Sequence, residues 1–283
     1  MSISVIIPTL EAGASLGQLL SALLSQDMPP SEILVIDSSS TDNTVSIAQR
    51  SGARTIVIPR HDFNHGQTRN RAAMEARGDI LVFMTQDALP ENNNLLAMLT
   101  KPLQMPDIAA TYGKHVPRPD APPPEVFARH FNYPEKGMVK GLSDTKRLGI
   151  RTFLFSNVCS SIKKELFLKA GMFPGRVRAN EDMLIAAKLI VNGYRIAYVP
   201  EAAVIHSHNC SLLQQFIRYF NIGSSLRHNR WILRYARAEG EGIRFARQQL
   251  QFIIDRKKYA WIPYIIMEFI TKYAGFRMGL IAG

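Results

Sequence analysis

The sequence predicts an α/β protein with a mostly parallel central sheet covered by helices on both faces. Three observations carry that prediction. Apolar runs of strand length alternate with amphipathic helical stretches through the first hundred residues. The runs are nearly continuous rather than alternating, as strands buried on both faces require. The length of 283 residues, 46% of them apolar and 20% charged, suffices for one large domain or a domain with an appendage. The same composition excludes a disulfide-stapled mini-protein, a collagen-like chain and a disordered tail.

Residues 3–8 read as the first strand. Over 15–26, Leu16, Leu19, Leu20, Leu23 and Leu24 form the i, i+3, i+4, i+7, i+8 stripe of an amphipathic helix. EILVID, residues 32–37, is a second strand, and Asp42 can cap a short helix reaching Arg50. Residues 54–58 are a third strand, 68–76 a helix and 80–84 (ILVFM) a fourth strand. The run PRPDAPPP at 117–124 interrupts regular structure. A strand over 153–161 follows, then a helix over 181–192 with Gly193 at its C-terminal stop, and short strands at 195–199 and 203–205. From Ser211 onward the pattern is helical. The chain divides into an α/β part over 1–210, whose pattern changes near 115, and a helical tail over 211–283.

The tail holds 12 Lys/Arg against 4 Asp/Glu, a surplus of +8 out of +11 for the whole chain. Such a segment suits an anionic partner (a membrane surface, nucleic acid or a phosphorylated substrate) or is a solvated helix face. Residues 259–276 are aromatic-rich but interrupted by Pro263, Glu268 and Lys272, so they suit an interfacial helix better than a span of about 20 apolar residues. Packing of these aromatics on the catalytic part or on a second subunit is the other reading. Two cysteines, Cys159 and Cys210, make no disulfide framework, and MSISVIIPTLEAG reads as a strand rather than a signal peptide. A cytoplasmic location, peripheral at the membrane face, is the expectation.

Ligands of open parallel sheets bind at the carboxyl ends of strands. Thr9 and Glu11 follow the first strand, Asp37 ends the second, and Gln86 and Asp87 follow the fourth. Three acids from three strands suit cation or hydroxyl binding better than three separate helix caps. The turn PTLEAGAS lacks the Gly-x-Gly-x-x-Gly spacing of dinucleotide sites, no Gly-Lys-Ser/Thr loop is present, and no Cys/His spacing suggests structural zinc.

The segments VIIPTLEAG, EILVIDSSSTDNT, RNRAAMEARGDILVFMTQDALP and ANEDMLIAAKLIVNGYRIAYVPEAAVIHSH resemble, in order, the successive motifs of family 2 glycosyltransferases with the GT-A fold. The resemblance covers roughly residues 1–210. HDFNHGQTRN (61–70) is similar to the bacterial rhamnosyltransferases of that family, which build O-antigen or other surface polysaccharides from dTDP-rhamnose. The resemblance implies that Thr9, Glu11 and Asp37 hold the base and sugar of the nucleotide, that Arg69 reaches it, and that Gln86 lies among the donor contacts. It makes Asp87 the last acid of an Asp-x-Asp motif that binds Mg²⁺ or Mn²⁺ on the diphosphate. His206 matches a histidine that completes the metal site in some members, with His208 as the alternative. Asp182 of Asn-Glu-Asp matches the catalytic base, although it can also N-cap its helix.

The chemistry agrees with these roles. Charge builds on a departing diphosphate, which a divalent cation offsets, and the acceptor hydroxyl needs a base, a contribution of roughly 10²–10⁴-fold. One departure is informative: the motif reads Thr85-Gln86-Asp87, without the acid expected at ribose hydroxyls. A thymidine donor lacks the 2′-hydroxyl, so the substitution suits a dTDP-sugar. The implied acceptor is polyprenyl-diphosphate-linked or an oligosaccharide, and a single displacement inverts the anomeric centre. Three other readings compete. A UDP-sugar donor is one. A nucleotidyltransferase would carry a basic Gly-rich loop after the first strand. A nucleic-acid binder would leave Asp37, Asp87 and Asp182 without purpose, so no nucleic acid is expected.

Overall fold

A computed structural model describes all residues except Arg176, His208, Ala238 and Glu239. His208, the alternative metal ligand, therefore lies outside the described residues. In chain order the elements are β1 Ile3–Thr9, α1 Leu16–Leu24, β2 Glu32–Asp37, α2 Thr44–Arg50, β3 Arg54–Val57, α3 His65–Glu75, β4 Ile80–Met84, β5 Leu89–Pro90, α4 Leu95–Thr100 and β6 Ile108–Val116. They continue with α5 Pro123–Asn132, β7 Met138–Lys140, α6 Thr145–Leu148, β8 Cys159–Lys163, α7 Lys164–Lys169, α8 Glu181–Val191, β9 Arg195–Ile205, α9 Leu212–His228, α10 Glu241–Asp255 and α11 Ile262–Ala282.

The described strands form one sheet in the order β3-β2-β1-β4-β8-β6-β9-β5, with β7 added to β9. The pairs among β1 to β4 are parallel, so the carboxyl ends of β1, β2 and β4 open on one edge. β8 then runs antiparallel between β4 and β6. Every residue of β1 and β4 is buried, as their unbroken apolar sequence demands. One core layer, on the α1 side, collects Leu16, Leu19, Leu20 and Leu23 with Val5, Ile7 and Val82. The other layer collects Ile6, Leu34 and Phe83 with Phe167, Phe173 and Ile185.

Several elements differ from expectation for identifiable reasons. The eighth strand covers Cys159–Lys163 rather than 153–161, because Phe153 and Phe155 enter the core from a 3-10 turn and the loop after it. α3 begins at His65, since the Asn64 side chain accepts from the Gly66 and Gln67 amides at 3.0 Å. The proline run turns helical at Pro123, where a ring needs no amide partner. Residues 195–199 and 203–205 are one strand, β9, carrying a bulge: Gly113 faces Val199, but Lys114 faces Ala203. A Cβ on Gly113 would fall 2.2 Å from the Ala202 carbonyl oxygen, so the bulge requires glycine there.

The tail is packed onto this body. Leu226, Ile232 and Ala236 join the second core layer. Phe245 and Phe252 of α10 meet Phe127 of α5 with ring centroids 5.1 and 5.4 Å apart. α9 and α11 cross with backbones in contact: a Cβ on Gly223 would lie 2.3 Å from the Phe276 oxygen, and one on Gly279 would lie 2.1 Å from the Phe220 oxygen. No helix among the described residues is long and apolar enough to cross a membrane.

Candidate active site

The loops after β1 and β2 are tied into one cradle. Thr9 Oγ1 donates to Asp37 Oδ1 at 2.9 Å, and the Ser40 amide donates to Asp37 Oδ2 at 2.8 Å. Glu11 sits in the left-handed region (φ 49°), its amide donating to Ser40 Oγ and its carboxylate accepting from the Thr41 amide. Asp42 does its capping one position early: it accepts from the Thr44 amide and also from the Gly13 amide, steadying the turn before α1. Asp37 is fully buried, so in the free protein its carboxylate organises these loops. The Gln86 amide is matched to the Leu10 backbone in both directions, at 2.8 and 3.0 Å, which fastens the end of β4 to the end of β1. That places Gln86 at the expected edge with its polar atoms engaged by main chain.

Asp87 and His206 are brought together across the sheet. His206 Nε2 lies 3.5 Å from Asp87 Oδ2, and the imidazole is buried at the end of β9. They adjoin a pocket of about 260 Å³ lined by Gln86, Asp87, Arg118 and Asp120. Behind His206, His115 meets it edge-to-face at 5.5 Å and stacks on Tyr133 at 3.9 Å. Burial holds His115 well below the ordinary imidazole range, reinforced by His206 and Arg129, so it is a neutral buttress. Burial pushes the Tyr133 phenol up to about 12. Among the described residues no group of three or more His, Cys, Asp and Glu forms a metal cage. Asp87 and His206 are two side chains of ligating type, so a cation held there would take its remaining ligands from substrate phosphates and water.

Asp182, itself half-buried, belongs to a network with Glu181, Arg69 and Asn157. α8 is entered through Asn180 in the left-handed region (φ 63°), and Asp182 accepts from the Met183 amide at 2.7 Å and the Asn157 amide at 3.4 Å. It is not the N-cap. Burial first, then the Glu181 charge, push its carboxyl up to about 7, while the two amides and Arg69 oppose the shift. Arg69 is 4% exposed; its Nη1 donates to the His65 carbonyl at 2.9 Å and lies 3.6 Å from Glu181 Oε1. Arg69 thus faces the acidic pair in the free protein.

The segment 61–70 does structural work toward that network. Asn70 exchanges hydrogen bonds with the Phe173 backbone at 2.8 and 3.1 Å, and Asn64 Nδ2 donates to the Val177 carbonyl. A Cβ on Gly66 would fall 2.9 Å from the Pro174 oxygen. These contacts hold the stretch leading to Asp182 against α3. Asn157, His115, Tyr133 and Arg118 carry no motif, so the sequence alone did not single them out.

A family model described as Glycosyl transferase family 2 matches residues 4–171. The chain belongs to that family. This family 2 glycosyltransferase is 40% identical over 281 residues to the O-antigen chain rhamnosyltransferase WbaN of Salmonella anatum, a match covering 98% of the chain and 89% of that protein. It is 38% identical to the O-antigen chain rhamnosyltransferase RfbN of Salmonella typhimurium, over 99% of the chain and 90% of the relative. In fold it is similar to the mannosyltransferase PcManGT from Pyrobaculum calidifontis, solved in complex with GDP-Man and Mn²⁺ (TM-score 0.60, 21% identity, 99% of this chain and 75% of that one). It is similar also to residues 1–349 of Staphylococcus aureus TarS (TM-score 0.62, 18% identity, 99% and 90%). The GT-A architecture of the family 2 chain follows from these likenesses.

Proposed function

We propose that the chain transfers L-rhamnose from dTDP-β-L-rhamnose to a hydroxyl of a lipid-linked or oligosaccharide acceptor in O-antigen or related surface polysaccharide synthesis, with inversion to an α-L-rhamnoside. The observation that carries this reading is the different surroundings of the two acids. Asp87 is paired with His206 at the nucleotide edge, and Asp182 sits in its own network with a raised pKa. Two acids with different environments suit two different tasks.

Thr9, Glu11 and Asp37 shape the cradle for base and sugar, and Arg118 adds a cation to the pocket beside Asp87. Asp87 and His206 would hold Mg²⁺ or Mn²⁺, which when bound would supply Lewis-acid stabilisation of the departing diphosphate. Asp182 takes the acceptor hydroxyl proton as the oxygen attacks the anomeric carbon. A base titrating near neutrality matches that task. Arg69 and Glu181 set its charge environment. The dTDP assignment is supported by Thr85-Gln86-Asp87, where Gln86 is committed to the Leu10 backbone and offers no acid to a ribose 2′-hydroxyl. Transfer assays with dTDP-rhamnose against UDP-sugars test it; preference for a UDP-sugar refutes the thymidine donor.

The tail brings the enzyme to the cytoplasmic membrane face. Ile266, Ile270, Tyr273 and Ile281 are each more than half exposed on α11, with Arg256, Lys257 and Lys258 just before it. Apolar groups flanked by cations suit an anionic lipid interface. Vesicle binding that falls as salt rises supports this, and self-association without vesicle binding assigns the face to a second copy instead.

A further inference from the structure

A second groove, of about 440 Å³, opens between the start of α5 and the tail helices. Its volume is that of small-ligand sites, about 300–1,000 Å³. Trp261 and Tyr264 form an aromatic corner, edge-to-face with centroids 5.5 Å apart. Asp120, Glu125 and Glu268 contribute carboxylates, and Asn209, Ser211 and Gln215 add neutral polar groups. No Lys or Arg is among the described residues that line it.

The carboxylates are held in place from behind. Glu268, 5% exposed, accepts from Gln249 Nε2 at 3.2 Å and pairs with Lys272 Nζ at 2.8 Å. Glu125 pairs with Arg129 one helical turn on. Groups fixed before a ligand arrives lose little freedom when it binds. Asp120 lines both this groove and the pocket beside Asp87, so the two cavities meet at one residue.

An aromatic wall beside carboxylates that only accept hydrogen bonds selects the ligand by chemistry. A pyranose ring has an apolar C–H face to lay on an aromatic side chain and hydroxyls to donate to carboxylates. Lys272 and Arg129 already match Glu268 and Glu125 from behind, so the lining offers a diphosphate Asp120 and no Lys or Arg to bind it, and a purely apolar chain would desolvate the carboxylates without partners. We propose that this groove is a subsite for a neutral sugar residue of the acceptor, seated beside the residue whose hydroxyl receives the transferred sugar. The proposal rests on the glycosyl-transfer reading above and names the part of the chain that recognises the acceptor glycan.

The test uses the full chain with Trp231→Phe, which leaves Trp261 as the sole tryptophan. Methyl glucoside, galactoside and mannoside are titrated while Trp261 emission is followed, and saturation-transfer NMR of the same glycosides is recorded. At least one glycoside is expected to bind at millimolar concentration, with the NMR effect lost in Trp261→Ala and weakened several-fold in Glu268→Gln. Thermal protection by dTDP is measured in parallel and is expected to be the same in all variants. Protection by dTDP without any glycoside response, or a glycoside NMR effect unchanged by Trp261→Ala, overturns the subsite alone. Competition by inorganic diphosphate at Trp261 overturns its neutral character. Glycoside binding at Trp261 without dTDP protection or dTDP-rhamnose transfer overturns the donor reading and leaves the groove standing.

Discussion

Glu181→Gln is the perturbation that best separates a catalytic Asp182 from a structural one. The Asp182 carboxyl is pushed up to about 7, by burial first and by the neighbouring Glu181 charge second. A base must be ionised to act, so activity is lost as pH falls through that value. With titration near 7, about one-tenth of the molecules carry the free base at pH 6 and about nine-tenths at pH 8, a rise in kcat/KM of roughly tenfold. An ordinary carboxyl would be ionised at both pH values and give a ratio near one. Gln keeps an oxygen for Asn157 Nδ2, which lies 3.3 Å from Glu181 Oε1, but removes the like charge. It also leaves Arg69 facing Asp182 without a competing acid. Both effects lower the Asp182 pKa, so the limb moves to lower pH and the pH 8 to pH 6 ratio falls toward one. The assay is initial-rate transfer at constant metal across pH 5.5–8.5, with thermal unfolding recorded to confirm a folded variant. A flat wild-type profile, or a limb that stays or rises in Glu181→Gln, refutes the reasoning.

Asp182→Asn removes basicity while keeping size, so kcat falls by orders of magnitude with donor affinity nearly unchanged, measured by turnover beside donor titration. The same raised pKa means that an ionised Asp182 costs stability: native protein holds the proton more tightly, so Asp182→Asn raises Tm at pH 8 more than at pH 5. Asp87→Ala abolishes most transfer and the metal dependence of donor binding, and His206→Ala has a smaller effect of the same kind, because imidazole is a weak ligand for hard cations; donor titration with and without Mg²⁺ checks both. Gly279→Leu forces a side chain against the Phe220 carbonyl and destabilises by about 1–3 kcal/mol, read as a fall of several degrees in Tm.

The alternation of strands and helices over the first ninety residues was legible because the strands are continuous apolar runs and α1 carries a clear stripe. β6 was not legible: Ala109, Ala110, Thr111 and Gly113 give neither alternation nor a strong apolar run, and its burial comes from neighbours distant in sequence. The 153–161 region misled because Phe153 and Phe155 look like strand residues but bury themselves from irregular backbone. Asp87 and Asp182 were legible as members of ordered motifs. Their partners were not, since the pairing of Arg69 with Glu181 and the stacking of His115 on Tyr133 exist only after the chain has folded. HDFNHGQTRN was legible as a distinctive segment, yet its use of Asn64 and Asn70 to grip the backbone at Val177 and Phe173 depends on a stretch a hundred residues away.

The bulge in β9 divides that strand into two separately indexed halves. Residues up to Val199 are matched against β6 and fill the core, and the three residues 200–202 are passed over before pairing resumes at Ala203. Side chains alternate along a strand, so the length of that skip decides which residue after Ile205 turns toward Asp87. Deleting one residue from 200–202 would present a different face at the end of β9, moving His206 away from Asp87. Ala202, Ala203 and Val204 are themselves buried, so the length of the skip at 200–202 sets together how the distal half of β9 packs and where His206 lies.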